Sequence, residues 1–373
     1  MLSTSSAKPH YEVLDGLRGT AAITIVVFHF LELVWSDYSQ NPLGHGFLAV
    51  DFFFCLSGFV IGYAYDGRLT QIGYRGFFRG RLLRLHPLVP LGSVLGLLSF
   101  LFDPFGGDPY AQGVWPIVAG FLCSLLLIPF PWLPGRGGAL FPFNSPTWSL
   151  FMEYCINVVY ALVLNRLHKG VTLLLTVLAA GWLAVTARHA GTLIGGWADA
   201  NIMDGFARVS FSFLAGLSVY RFQWILRTPL GFVALSLLLL ATFMCPYFGQ
   251  NWLTEWLIVA AVYPLVIALG AGATATGWWL QCCRFIGRLS YPLYMTHIFL
   301  IWPFGNYYAQ YKPGPLLLTM IVAVGTMVLM AIAYLAMRWY DEPVRRWLNG
   351  RLKSKTAQSL AGGRLTEAPT RQL

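Results

Sequence analysis

Eleven long apolar runs follow one another along this chain, with short polar segments between them. A backbone inside hydrocarbon has to satisfy its own N–H and C=O groups, so continuous apolar runs of this kind fold as membrane helices. A barrel would show alternation instead. Composition agrees: 57% of residues are hydrophobic, only 11% are charged, and the mean hydropathy is +0.61. A soluble domain carries about 25% charged residues, so this chain has too little charge to clothe a soluble surface and too much apolar area to stay disordered. The expected fold is all-α: a polytopic membrane helical bundle of about ten transmembrane helices plus one re-entrant or interfacial helical segment.

The runs are 17–35, 47–65, 88–102, 114–130, 147–164, 171–187, 206–220, 230–245, 253–269, 291–304 and 316–339. The net charge of +10 does not suggest nucleic acid, because the arginines lie in the short segments between runs. Such segments stay in the cytoplasm. Segment 66–86 holds Arg68, Arg75, Arg79, Arg81 and Arg84. Arg166, Lys169, Arg221, Arg227, Arg284 and Arg288 mark three more cytoplasmic segments, and the tail is basic. Three runs lie between Arg84 and Arg166, yet three full crossings cannot return the chain to one side. Run three or run four is therefore expected to be re-entrant, with both termini inside and the Gly- and Pro-rich stretch 131–146 outside. The retained first helix shows no cleavable signal. Residues 1–12 read as a leader, 13–349 as the membrane domain, and 350–373 as a basic, disordered tail against anionic lipid. The six cysteines show no metal spacing and read as free thiols. No metal is expected.

Ionisable side chains within spans are costly, and several converge here. Arg18 and His29 are eleven residues apart, three helical turns, so they share one face about 16 Å apart in depth. Glu32 shares that face. In run ten, Tyr294 and His297 are three apart, and the two histidines lie near the same depth. Ser290 reads as a cap and Pro292 as a first-turn residue of that helix. Imidazole suits proton transfer near neutral pH. Run five opens with Trp148, Ser149 and Glu153. Asp51 and Glu255 open runs two and nine, where carboxylates suit a helix dipole, and Arg208 is placed to neutralise one of them. Arg79, Arg81 and Arg84 form an all-arginine cluster. It fits an interfacial helix, and it also fits a phosphorylated cytoplasmic donor.

Five stretches together resemble the acyltransferase-3 family of integral membrane acyltransferases. They are Leu14-Asp-Gly-Leu-Arg18-Gly with His29, Val50-Asp-Phe-Phe-Phe-Cys-Leu-Ser57-Gly58-Phe59, Arg81-Leu-Leu-Arg84, Trp148-Ser-Leu-Phe-Met-Glu153 and Ser290-Tyr-Pro-Leu-Tyr-Met-Thr-His297. The resemblance runs from run one to run eleven and fits members without an added soluble domain. It implies a multi-pass enzyme of the bacterial inner membrane that moves an acyl group, usually acetyl, from cytoplasmic acyl-CoA to a hydroxyl of an exported glycan or other acceptor. It implies importance for Arg18, His29, Arg81 and Arg84.

On that reading Arg81, Arg84 and Arg79 hold the CoA phosphates and Arg18 lines the path of the pantetheine arm. His29 is the base, or carries the acyl group, with Glu32 or Glu153 orienting it. Tyr294, His297 and Ser149 are oxyanion donors, and Asp51, Trp148, Ser149 and Arg208 face the substrate. The rival reading is a proton-coupled transporter or exporter, for which the midplane histidines would serve equally well. The absence of an internal repeat argues against it.

Overall fold

The computed structural model describes residues 10–111 and 113–351. Most of the leader and nearly all of the basic tail lie outside the described residues. Fourteen α-helices are found among them: α1 (Glu12–Glu32), α2 (Ala49–Tyr65), α3 (Leu69–Leu85), α4 (Leu88–Leu101), α5 (Val114–Leu125), α6 (Thr147–Leu162), α7 (Lys169–Ala190), α8 (Ile202–Arg221), α9 (Phe232–Phe243), α10 (Asn251–Leu257), α11 (Tyr263–Gly272), α12 (Gly277–Thr296), α13 (Ile298–Tyr311) and α14 (Pro315–Leu335). π-helical turns join α10 to α11 and carry α14 onward through Ala336–Asp341. The fold is an all-α polytopic membrane bundle, as the apolar runs require.

One end of the bundle gathers the basic residues. There Arg284 pairs with Glu12 at 2.9 Å, Arg221 with Asp66 at 2.7 Å, and Arg288 with Glu342. These contacts put the start of α1, the end of α2, the end of α8 and the continuation of α14 at the same level. Eight segments have the length and hydropathy of a span. α5 and α9, of 12 residues each, are shorter apolar helices, and α12 and α13 meet at His297.

Run four forms α5. Twelve residues make about 18 Å of helix, short of a hydrocarbon core of about 30 Å. The helix runs beside α4 until the Leu125 backbone meets the His86 ring. The chain then reverses at Leu127, whose φ is 55°, and returns without regular structure. Its polar backbone is satisfied by the protein: Phe130 N–H donates to Leu140 O (2.8 Å) and Leu140 N–H to Trp197 O (2.9 Å). Run four thus forms a short helix followed by an irregular return, and run three forms α4. One expectation needs correction. Stretch 131–146 is only partly a surface loop: Trp132 is exposed, but Leu140, Phe141, Phe143 and Asn144 are buried. Their apolar side chains need a core, and the Asn144 amide donates to Met295 O at 3.0 Å, inside the bundle.

The tightest crossing joins α2 and α8. A methyl group on Gly58 would lie 2.0 Å from the Phe213 carbonyl oxygen, and one on Gly216 1.8 Å from that of Cys55. Small residues here let two backbones touch, and they hold α2 where its other face borders the site.

Candidate active site

A cavity of about 460 Å³ enters the bundle from the basic end. Arg18, Arg84, Arg288 and Arg345 line its mouth, and Phe53, Ser149 and Tyr294 its inner wall. Arg81 and Glu153 lie between. Its sides are apolar where α2 contributes Val50, Phe54 and Val60.

Arg18 is held by α12: its Nε donates to Ser290 Oγ (2.9 Å) and its Nη2 to Gly287 O (2.7 Å). Ser290 is consequently not a cap. α12 already begins at Gly277, so Ser290 and Pro292 lie inside it. Beside Pro292, the Gly287 carbonyl accepts from both Arg18 Nη2 and Ser290 Oγ. The helix instead breaks at His297, between α12 and α13.

Arg81 is 4% exposed and donates to Glu153, which also accepts from Ser57 Oγ at 2.9 Å. Glu153 thus serves an arginine and a serine, and does not orient His29 as the sequence allowed. Arg84 lines the cavity one helical turn further on. Arg79 is exposed and lies off the cavity wall. A helix face is about three residues wide, so Arg79 points elsewhere.

At the inner wall Tyr294 Oη and Ser149 Oγ share a hydrogen bond of 2.6 Å, and Pro146 O accepts from Tyr294 at 3.1 Å. Beyond Tyr294 stands the histidine pair. The rings of His29 and His297 stack at 5.2 Å with 20° between their planes, and Tyr294 is 5.8 Å from His297. His29, Glu32 and His297 are not on the cavity wall.

His29 Nδ1 meets Glu32 Oε1 at 2.5 Å, and Tyr38, from the turn after α1, donates to Glu32 Oε2 at 3.3 Å. Burial, then the adjacent carboxylate, hold the Tyr38 phenol far above its ordinary pKa, so it stays a donor. With Nδ1 so engaged, Nε2 is the basic nitrogen of His29. His297 Nδ1 bonds the carbonyls of Leu293 (3.2 Å) and Tyr294 (2.9 Å), which fixes the proton on Nδ1. Its Nε2 is buried and has no partner. In this tautomer His297 accepts at Nε2, so the sequence expectation of an oxyanion donor there fails while the ring is neutral.

Asp51 and Arg208 are elsewhere. Both are buried, and Arg208 donates to Asp51 at 2.6 Å and to the carbonyls of Gly195 (2.7 Å) and Phe47 (3.1 Å). Its guanidinium lies over Trp148 at 5.2 Å. The expected substrate role of these three yields to a buried ion pair that ties α2 to α8. Ser57 and Tyr38 were given no role by sequence. Ser57 lies in a quoted motif, whereas Tyr38 carried no signal.

Comparison with known proteins is consistent with this geometry. A family model described as "Acyltransferase domain" matches residues 11–335. "Protein 2 in picA locus" of Rhizobium radiobacter is 34% identical over 193 residues, covering 49% of this chain and 98% of that protein. "Acyltransferase MdmB" of Streptomyces mycarofaciens is 30% identical over 165 residues, 42% of this chain and 40% of that protein. "Putative membrane-bound transacylase BcsY" of Komagataeibacter xylinus is 27% identical over 353 residues, 85% of this chain and 81% of that protein. No solved structure matches.

Proposed function

Because this chain belongs to the acyltransferase-3 family and is a multi-pass membrane acyltransferase, we propose that it takes an acyl group, acetyl in the first instance, from acyl-CoA at its basic end. It passes that group to a hydroxyl of a glycan or other exported acceptor that approaches His29. The observation that carries the reading is the pairing of an arginine-lined cavity with a Glu32-oriented histidine one tyrosine beyond its inner wall. On this reading the membrane is the bacterial inner membrane and the basic end is cytoplasmic, in line with the distribution of arginines.

Arg84 and Arg18 meet the donor phosphates, for which guanidinium is the best-suited group. Arg81, neutralised by Glu153, is held in place between the mouth and the inner wall. The pantetheine arm lies along the apolar side of α2, and the thioester carbonyl reaches Tyr294 and Ser149. The acceptor hydroxyl gives its proton to His29 Nε2 as its oxygen attacks the thioester carbon. Glu32 steadies the imidazolium that forms. The Tyr294 hydroxyl turns its one proton from the Pro146 carbonyl, which Ser149 still serves, to the oxyanion of the tetrahedral intermediate. When the C–S bond breaks, the departing thiolate recovers the proton from His29, so CoA leaves as the thiol and the ester remains on the acceptor. The orphan Nε2 of His297 accepts from a second acceptor hydroxyl and so positions the first.

Turnover of acetyl-CoA by purified protein, with methyl glycosides and simple alcohols as acceptors, tests this. Acetyl ester formation that His29→Ala reduces by about 10²–10⁴ is expected. A loss below tenfold at equal protein level refutes the base.

The names of two relatives also support a membrane acyl-transfer reading over proton-coupled transport: one is called an acyltransferase and the other a putative membrane-bound transacylase.

A further inference from the structure

One wall of the cavity mouth comes from chain beyond the family match, which ends at residue 335. Met337, Asp341, Glu342 and Arg345 all line the cavity. Met337 and Asp341 lie within the π-helical turn Ala336–Asp341, and Glu342 and Arg345 follow it. Its wider winding re-aims the following residues, and such turns recur at functional positions.

Arginines outnumber carboxylates on this wall, although Arg18 also pairs with Asp15 at 3.0 Å just off it. Arg18, Arg81, Arg84, Arg288 and Arg345 share the wall with three carboxylates, Glu153, Asp341 and Glu342. Arg81 is committed to Glu153. Arg345 donates to Asp341 at 2.6 Å, one helical turn back, and Arg288 of α12 reaches across to Glu342. Glu342 is itself shared with Arg338 (3.6 Å) and Arg346 (3.8 Å). The side chains of Arg288 and Arg345 are 62% and 30% exposed. The Arg288–Glu342 pair is exposed and contributes about 0–1 kcal/mol, so Arg288 exchanges its carboxylate for a phosphate at small cost, whereas Arg345 keeps the buried Asp341 and offers its remaining N–H donors. Arg81 and Arg84 stand on α3, whereas Arg288 and Arg345 stand on α12 and the continuation of α14. The two sets therefore come from different elements of one mouth.

We propose that Arg288 and Arg345 form a second phosphate subsite, distinct from Arg84, which takes the terminal phosphomonoester of a nucleotide thioester donor. The proposal rests on acyl-CoA being the donor. A phosphomonoester carries up to two charges and three acceptor oxygens, which suits two guanidinium groups drawn from neighbouring elements, α12 and the continuation of α14. Asp341, 3% exposed, holds Arg345 in place before the ligand arrives.

The test uses three donors on the full-length protein: acetyl-CoA, acetyl-dephospho-CoA, which lacks only the 3′-phosphate, and S-acetylpantetheine, which lacks the whole nucleotide. In Arg345→Ala and Arg288→Ala the KM for acetyl-CoA is expected to rise about tenfold, the loss of one charge-assisted hydrogen bond, with kcat within threefold of wild type. The KM for the other two donors stays unchanged, and Arg345→Lys recovers part of the loss. An unchanged KM for acetyl-CoA overturns the subsite while leaving the donor reading intact. So does an equal rise with all three donors, which marks a structural role. A wild type that turns over none of the three refutes the donor reading and the subsite with it.

Discussion

Replacing Glu32 by Gln keeps the side-chain volume and one acceptor oxygen against His29 Nδ1, and removes only the charge. The carboxylate oxygen is 2.5 Å from the ring nitrogen, with side-chain exposures of 19% for His29 and 22% for Glu32. Two unit charges about 4 Å apart interact by about 4 kcal/mol at an effective dielectric of about 20. This pair is partly open, so about half of that is retained in the transition state, when the ring is cationic. About 2 kcal/mol corresponds to about thirtyfold in rate. We therefore expect Glu32→Gln to reduce kcat about thirtyfold with little change in the KM for acetyl-CoA, since Glu32 is off the cavity wall. The assay is chromatographic separation of CoA and acetyl-CoA over time, with protein matched by monodisperse fraction. A kcat within threefold of wild type would refute the orienting role. A loss confined to the donor KM would refute the placement of His29 beyond the cavity.

Four further outcomes follow from the packing and the inner wall. Tyr294→Phe removes the hydroxyl bonded to Ser149 and should lower kcat by about 10²–10³, the cost of one oxyanion donor, with acetyl-CoA binding retained in a titration. Arg208→Met leaves Asp51 buried and unpaired, which costs about 3–5 kcal/mol; thermal melting in detergent should show a large loss, and an unshifted melt would contradict the pairing. Gly216→Ala drives a methyl group into the Cys55 carbonyl and should sharply reduce extractable folded protein. Gly181→Ala, with nothing within 4 Å of the added methyl, should be neutral or slightly stabilising by the same measurement.

Sequence carried the site wherever one helix determined it. The eleven-residue spacing put Arg18 and His29 on one face of α1, and in the bundle both meet α12 or its end, through Ser290 and His297. The arginine distribution called for a non-crossing run between Arg84 and Arg166, and there α5, at 12 residues, is shorter than α4 or α6. What depended on two helices meeting was not legible. Nothing in the order of residues says that Glu153 of α6 faces Arg81 of α3 rather than His29 of α1. Nor does spacing say that Asp51 rather than Glu255 receives Arg208. Pro292 looked like a helix start because proline favours first turns, but tertiary contacts sustain the helix through it. The burial of Phe141 and Phe143 inside a Gly- and Pro-rich loop was hidden by that loop's composition.

The central claim is that the basic cavity holds the donor and that His29, beyond Tyr294, performs the transfer. Calorimetric titration of acetyl-CoA into wild type, Arg84→Ala and His29→Ala, with turnover measured on the same samples, tests it most directly. The account predicts that Arg84→Ala binds at least tenfold more weakly, while His29→Ala binds like wild type and fails to turn over. Equal binding by wild type and Arg84→Ala, or donor affinity lost with His29, would contradict it.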